Sequence, residues 1–96
     1  MKLGTFMFDE KCTGWTNSRE FNIETLRVTE RYLNEIIRYK GYIYLNEIYE
    51  RFGAKWNPKD DNPCVIVNDI KRIAFIELEI FYKPNNTFLV LIHRCD

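Results

Sequence analysis

The chain has 96 residues, of which 46% are apolar and 29% are charged. This length and composition are typical of one folded domain with a modest core, so we expect a single domain over residues 1–96 and exclude disorder of the whole chain. The 14 basic and 14 acidic side chains cancel, which argues against a dedicated nucleic-acid binder because such proteins usually carry a basic excess.

Cysteine usage and hydropathy bear on the cellular compartment. Cys12, Cys64 and Cys95 are odd in number and widely spaced, which favours free thiols in a reducing compartment over a disulfide framework. Charged residues at 9–11 interrupt the apolar start, so it does not resemble a signal peptide. No stretch approaches the roughly 20 apolar residues that span a bilayer. We therefore expect a cytoplasmic protein with no membrane partner.

The first part of the chain predicts an extended segment followed by a long helix. Residues 3–8 favour a short strand or an apolar arm laid on the core. After a polar loop, residues 23–40 repeat apolar positions at steps of three and four, which is the spacing of one helix face. Gly41 suits the left-handed position that ends such a helix. Asn17 or Ser18 could cap a short turn before this helix, and Asn22 is a second candidate cap, for the long helix itself.

The middle of the chain predicts a short strand, a two-turn helix and a loop. Tyr42–Tyr44 is β-prone, and Leu45–Phe52 places its apolar side chains on one helical face before Gly53 ends the helix. Residues 57–63 are rich in Asn, Asp and Pro and predict a loop. The run Cys64–Val67 favours a further strand.

The C-terminal third predicts a β-hairpin over residues 73–94. Apolar side chains alternate along 74–82, and residues 84–86 form a three-residue turn in which Asn86 is left-handed. A two-residue turn would set glutamates against apolar partners, so the longer turn is preferred. The preferred register pairs Tyr82 with Phe88, Ile80 with Val90 and Leu78 with Ile92.

The order of these elements is partly winged-helix-like. The recognition helix of that fold has no counterpart, because the loop at 57–63 and the β-branched run at 65–67 take its place. Four basic residues near the helix ends, with tyrosines between them, could still follow a phosphate backbone; they are Arg38, Lys40, Arg51 and Lys55. Glu47 and Glu50 oppose that field, so nucleic acid is not the favoured partner.

No catalytic, cofactor-binding or metal motif stands out in the sequence. His93 is the only histidine; it faces Glu77 in the preferred register, which is more typical of an exposed cross-strand pair than of a general base. Cys12, Cys64, His93 and Cys95 are zinc-ligand types, but only the last two are close in sequence, whereas structural zinc sites usually offer two close pairs. We therefore expect no enzyme activity, no metal and no cofactor.

The middle block resembles small uncharacterised proteins carried by prophages and integrated mobile elements of Gram-positive bacteria. The resemblance rests on residues 33–37, on the block from Gly41 to Gly53 and on Gly14-Trp15. Those proteins share a leucine-rich helix, a Gly-Tyr-x-x-Leu-Asn step, a short helix that ends in Gly and a β-rich tail. The resemblance implies an accessory role in a mobile element, with no defined activity and no assigned functional residues.

Together these patterns predict an α+β fold, in which one long and one short helix pack on a small antiparallel sheet. The sheet contains the C-terminal hairpin, with either Tyr42–Tyr44 or the N-terminal segment at its edge. The expected core consists of Leu26, Leu33, Ile36, Ile37, Leu45, Ile48, Phe52, Ile76, Leu78, Ile80, Val90 and Ile92.

The last strand is apolar on both faces from Phe88 to Ile92, so both faces need cover. We therefore expect a homodimer, or a protein partner, that covers Phe81, Leu89 and Leu91. The leading function is a non-enzymatic interaction module with a structural or regulatory role in a mobile element. The alternative is a degenerate winged-helix DNA-binding protein that uses the four basic residues.

Overall fold

The computed structural model describes residues 1–55, 64–68 and 73–96, and it has the predicted α+β fold. The whole of the predicted loop at 57–63 therefore lies outside the described residues, as do residues 69–72. The elements in chain order are β1 (Lys2–Phe8), α1 (Arg19–Lys40), β2 (Tyr42–Tyr44), α2 (Leu45–Phe52), β3 (Cys64–Val67), β4 (Phe75–Lys83) and β5 (Thr87–Cys95).

The main sheet has three antiparallel strands in the order β1-β5-β4. Of the two predicted edge candidates, the N-terminal segment takes the edge position beside β5. The other candidate, β2, pairs instead with β3 in a separate two-stranded sheet. The C-terminal strand β5 therefore lies at the centre of the main sheet, where it contributes to both faces.

The predicted hairpin register is confirmed. Tyr82 lies opposite Phe88, Ile80 opposite Val90 and Leu78 opposite Ile92. The turn places two residues in the left-handed region, Asn85 at φ 62° and Asn86 at φ 58°, whereas the sequence predicted only the second. Asparagine tolerates this region better than most non-glycine residues, which explains the consecutive pair.

The long helix starts four residues before the predicted start at 23. Ser18 is the N-cap, and its side chain accepts a hydrogen bond from the Phe21 N–H. The interpretation of Asn22 as a cap was wrong, because this residue lies inside the first turn and is fully buried. The predicted ends are confirmed: Gly41 and Gly53 follow the two helices with φ of 83° and 67°.

Asn22 instead joins three segments of the chain. Its Oδ1 accepts from the Thr16 N–H at 2.8 Å, and its Nδ2 donates to the carbonyls of Thr16 at 2.9 Å and Asn86 at 3.2 Å. The indole of Trp15 donates to the same Asn86 carbonyl at 3.0 Å. A buried amide whose groups are all bonded fixes geometry, and its hydrogen bonds offset the cost of removing it from water, so Asn22 holds the 9–18 loop and the hairpin turn against α1.

Both helices pack on one face of the main sheet, which we call the inner face. Helix α1 lies along β4 and α2 lies beside β1. Of the predicted core, all residues are buried except Ile36, Leu45 and Ile80, which are partly exposed. The core also includes Phe6, Phe8, Cys12, Ile43, Ala74 and Phe88, which the sequence reasoning did not select.

Side chains cap parts of both outer edges of the sheet. On the β4 edge, Ala74, Ile76 and Leu78 bond to side chains of α1 and of Asn68 rather than to another strand. On the β1 edge, the Thr5 N–H donates to the Tyr49 hydroxyl at 3.2 Å. Capped edges are less able to recruit a strand from another molecule.

Candidate functional site

The candidate site is the face of the main sheet opposite the helices, which we call the outer face. Because side chains alternate along each strand, its residues form rows that run across β1, β5 and β4. The pairing of β1 is irregular between Lys2 and Gly4, and this irregularity sets Lys2 opposite His93, in the same row as Glu77. Among the described residues, Met7, Phe75 and Phe81 on this face remain exposed. The rows consist of Met7, Leu89 and Phe81, then Thr5, Leu91 and Glu79, then Lys2, His93 and Glu77, with Cys95 and Phe75 at the far end.

The first row is apolar across all three strands. Leu89 lies between Met7 on β1 and Phe81 on β4. Met7 is 43% exposed and Phe81 is 42% exposed, while Leu89 is partly shielded by its neighbours. Leu91 follows in the next row between Thr5 and Glu79. The structure thus brings the predicted residues Phe81, Leu89 and Leu91 together on one face.

Met7 completes this apolar row, and the sequence reasoning missed it. The signal was present, since Met7 stands between two phenylalanines, Phe6 and Phe8, that are buried on the inner face. Alternation of a strand then requires Met7 to point outwards. Residues 3–8 are compatible with either a strand or an apolar arm, and only a strand imposes this alternation.

The polar rows are linked by diagonal contacts between strands. His93 lies opposite Glu77, as predicted, but its Nε2 contacts Glu79 Oε1 at 3.1 Å. Glu77 instead accepts a hydrogen bond from the Cys95 thiol at 3.5 Å. The pKa of Cys95 is raised, first by partial burial and then by the hydrogen bond and negative charge of Glu77.

This arrangement has the character of a surface network. Both the His93 and Glu79 side chains are accessible to solvent, and exposed ion pairs of this kind contribute little to stability. A general base needs a substrate cleft as well as a partner that orients it. Glu79 could orient His93, but both residues lie on the open face of a sheet and not in a cleft.

Two of the four predicted basic residues share a groove. Lys40 and Arg51 line it together with Glu47 and Glu50. The Arg51 guanidinium lies 4.4 Å from the centre of the Tyr32 ring, and it donates to the Tyr32 hydroxyl at 3.3 Å. Since two carboxylates line the groove beside two cations, its field is close to balanced.

The other two basic residues line different grooves. Arg38 lies with Asn34 and Ile73 near the start of β4. Lys55 lies with Asp9 and Lys11 beside the N-terminal strand. The four residues are thus distributed over three grooves, which is a weak basis for one continuous phosphate-binding track.

Residues 1–55, 64–68 and 73–96 contain neither a cluster of metal-ligand side chains nor a membrane-crossing helix. No three His, Cys, Asp or Glu side chains of these residues come together in a way that could hold a metal ion. None of the helices described is both long and apolar enough to cross a bilayer. Of the predicted zinc-ligand types, Cys12 and Cys95 are free cysteines, and the side chain of Cys64 lies outside the description.

The chain matches no family model, and neither the curated proteins nor the solved structures include one that is similar to it.

Proposed function

We propose that this protein is a non-enzymatic interaction module that binds a protein partner through the outer face. The observation that carries the proposal is the exposed apolar row of Met7, Leu89 and Phe81. Contiguous apolar side chains on a sheet surface favour burial against another molecule, because leaving them in water costs about 25 cal/mol per Å². The polar rows beside them would form the rim that interfaces usually have.

The biological setting is part of the same proposal. The resemblance of the middle block to prophage and mobile-element proteins supports an accessory role, structural or regulatory, in such an element. The free cysteines Cys12 and Cys95 support a reducing, cytoplasmic setting. Neither point identifies the partner.

The test is an affinity purification from a lysate of the native cells, followed by binding measurements with the purified partner. Three forms are compared: the natural chain, Phe81→Ser, and Tyr39→Ser as a matched control. Tyr39 is 92% exposed on α1 and so lies away from the outer face. We expect a complex that persists at high salt. Its affinity should fall about tenfold or more with Phe81→Ser and should not change with Tyr39→Ser.

Two outcomes would contradict the proposal. A partner that binds both variants equally would place the interaction elsewhere on the molecule. Nucleic acid that dissociates steeply as salt rises would favour the winged-helix alternative, and Lys40 and Arg51 would then be the first residues to replace.

A further inference from the structure

We infer that the protein bound at the outer face is a second copy of this chain, related to the first by a two-fold axis parallel to β5. This inference rests on the proposed function, since it names the partner of the same face. The distribution of charge and apolar surface across the three strands supports a two-fold arrangement.

The two sides of the outer face are complementary to each other. The β1 side presents Lys2 and Met7, and the β4 side presents Glu77 and Phe81 in the same two rows. Leu89, on the central strand β5, lies between Met7 and Phe81 in the apolar row. At one end of the face, the β1 side is basic because of Lys2 and the β4 side is acidic because of Glu77. At the other end, Met7 and Phe81 make both sides apolar.

A two-fold axis along β5 uses this complementarity twice. Rotation about such an axis lays β1 of one copy over β4 of the other and keeps each row at its own height. Met7 then meets Phe81 of the second copy, and Lys2 meets its Glu77. Leu89, which is on the central strand, meets its own equivalent near the axis, as expected for an isologous interface. Sheets that pack face to face are about 10 Å apart.

The capped edges favour this arrangement over strand addition. Another strand added beside β4 would have to displace side chains that already bond Ala74, Ile76 and Leu78. On the other edge it would have to displace Tyr49 from the Thr5 N–H. The face requires no such rearrangement, so association by the face costs less than association by these edges.

The size of the face sets the expected strength. Three strands about 4.8 Å apart, over a length of about seven residues, cover only roughly 300 Å² of flat area per copy. Two copies would thus cover roughly 600 Å² in total, which is below the roughly 1,200 Å² at which stable specific interfaces begin, so only a weak and reversible complex is expected. We expect a dimer that forms with rising concentration and dissociates on dilution.

The first experiment is sedimentation equilibrium of the untagged chain from about 1 µM to about 1 mM, a range chosen for weak association. We expect Lys2→Glu and Glu77→Lys each to weaken the dimer by roughly three- to tenfold, since each variant breaks two symmetry-related pairs. The double exchange Lys2→Glu with Glu77→Lys should restore it. Rescue by the double exchange cannot arise from misfolding. Tyr39→Ser is the neutral control.

The second experiment measures geometry by cross-linking. Cys95 lies on β5 and points to the outer face beside Glu77, so the two copies of Cys95 should lie near the axis. In a Cys12→Ser, Cys64→Ser background, Cys95 is the only cysteine, and a short bis-maleimide should link the two copies. Leu89→Ser should abolish the link, and circular dichroism would verify that this variant is folded.

The outcomes separate this inference from the proposed function. A chain that is monomeric at about 1 mM but binds another protein through Phe81 would overturn the inference and leave the proposed function standing. A dimer without rescue and without the Cys95 link would place the contact on another surface. A monomer that also binds no partner through Phe81 would contradict both.

Discussion

The side-chain amide of Asn34 in α1 bonds both backbone groups of Ile76 in β4. Its Nδ2 donates to the Ile76 carbonyl at 3.0 Å, and its Oδ1 accepts from the Ile76 N–H at 2.9 Å. A neighbouring strand would present the same donor and acceptor, so the helix side chain takes the place of a strand at the sheet edge. Asn68 does the same for Ala74.

The same edge continues with an ion pair. At Leu78, the carboxylate of Glu30 accepts from the N–H at 2.6 Å, and the guanidinium of Arg27 donates to the carbonyl at 3.0 Å. Arg27 and Glu30 also contact each other at 3.1 Å. Every second residue of this edge from Ala74 to Leu78 is therefore bonded to a side chain, which joins α1 to the sheet and limits pairing with other chains.

Replacing Asn34 by Leu should destabilise the fold by about 1–3 kcal/mol, because it leaves both backbone groups of Ile76 without their partner. Urea unfolding measures the change as a shift in midpoint at constant slope. Glu35→Ala, at the neighbouring exposed position, is the control and should change stability by less than about 0.5 kcal/mol. Equal losses for the two variants would show that the bond pair does not matter.

Replacing Asn22 by Leu should cost about 1–3 kcal/mol, since a side chain of similar size cannot bond Thr16 or Asn86 and leaves the part-buried N–H and carbonyl of Thr16 without their partner. The indole N–H resonance of Trp15, which shares the Asn86 carbonyl, should also shift in NMR spectra. Asn17→Ala is the matched control: Asn17 is exposed and bonds Asn86 through its backbone carbonyl. A stable Asn22→Leu variant with an unchanged indole resonance would contradict the role assigned to Asn22.

The contrast between Asn22 and the glycines shows which features could be predicted from the sequence. A glycine after an apolar helical pattern has few roles other than ending the helix, so Gly41 and Gly53 were correctly identified. Asparagine serves as a cap, as a turn residue or as a substitute for backbone partners. Which role applies depends on distant partners, such as Ile76 for Asn34, and those are set only by the tertiary fold.

The sheet, too, was predictable where local patterns determine it and not where distant segments pair. The hairpin register followed from local alternation and from the turn at 84–86, both of which are short-range features. The pairing of β1 with β5 joins residues at opposite ends of the chain, so no local pattern specified it. The outer-face candidates Phe81 and Leu89 were therefore recognised, whereas Met7 on β1 was not.

Two glycine substitutions should separate steric conflict from backbone strain. A Cβ at Gly53 would lie 2.6 Å from the Thr13 Oγ1 and 2.8 Å from the Thr13 backbone N, whereas at Gly41 the nearest atom is the Asn68 carbonyl oxygen at 3.6 Å. Gly41→Ala should cost about 1–2 kcal/mol, from the left-handed conformation alone. Gly53→Ala should cost at least about 1 kcal/mol more. Thermal unfolding of both variants measures the difference, and equal costs would mean that the Thr13 contact relaxes freely.

Glu77 should control the reactivity of the Cys95 thiol. Burial and the Glu77 carboxylate raise the pKa of Cys95, so the thiolate is scarcer at a given pH than in an unfolded chain, and alkylation rises only at higher pH. Glu77→Gln removes the negative charge, which lowers the pKa without abolishing the effect of burial. The alkylation rate near pH 8 should therefore increase, and its pH profile should move to lower pH.

The measurement uses iodoacetamide on the Cys12→Ser, Cys64→Ser background at low protein concentration, where a weak dimer is dissociated. Glu79→Gln is the matched control, because Glu79 contacts His93 rather than Cys95. A general increase in surface accessibility would raise the rate in both variants and leave the shape of the pH profile unchanged. A shift to lower pH that is confined to Glu77→Gln would assign the effect to the Glu77–Cys95 contact, because only that contact distinguishes the two glutamates in their effect on the thiol.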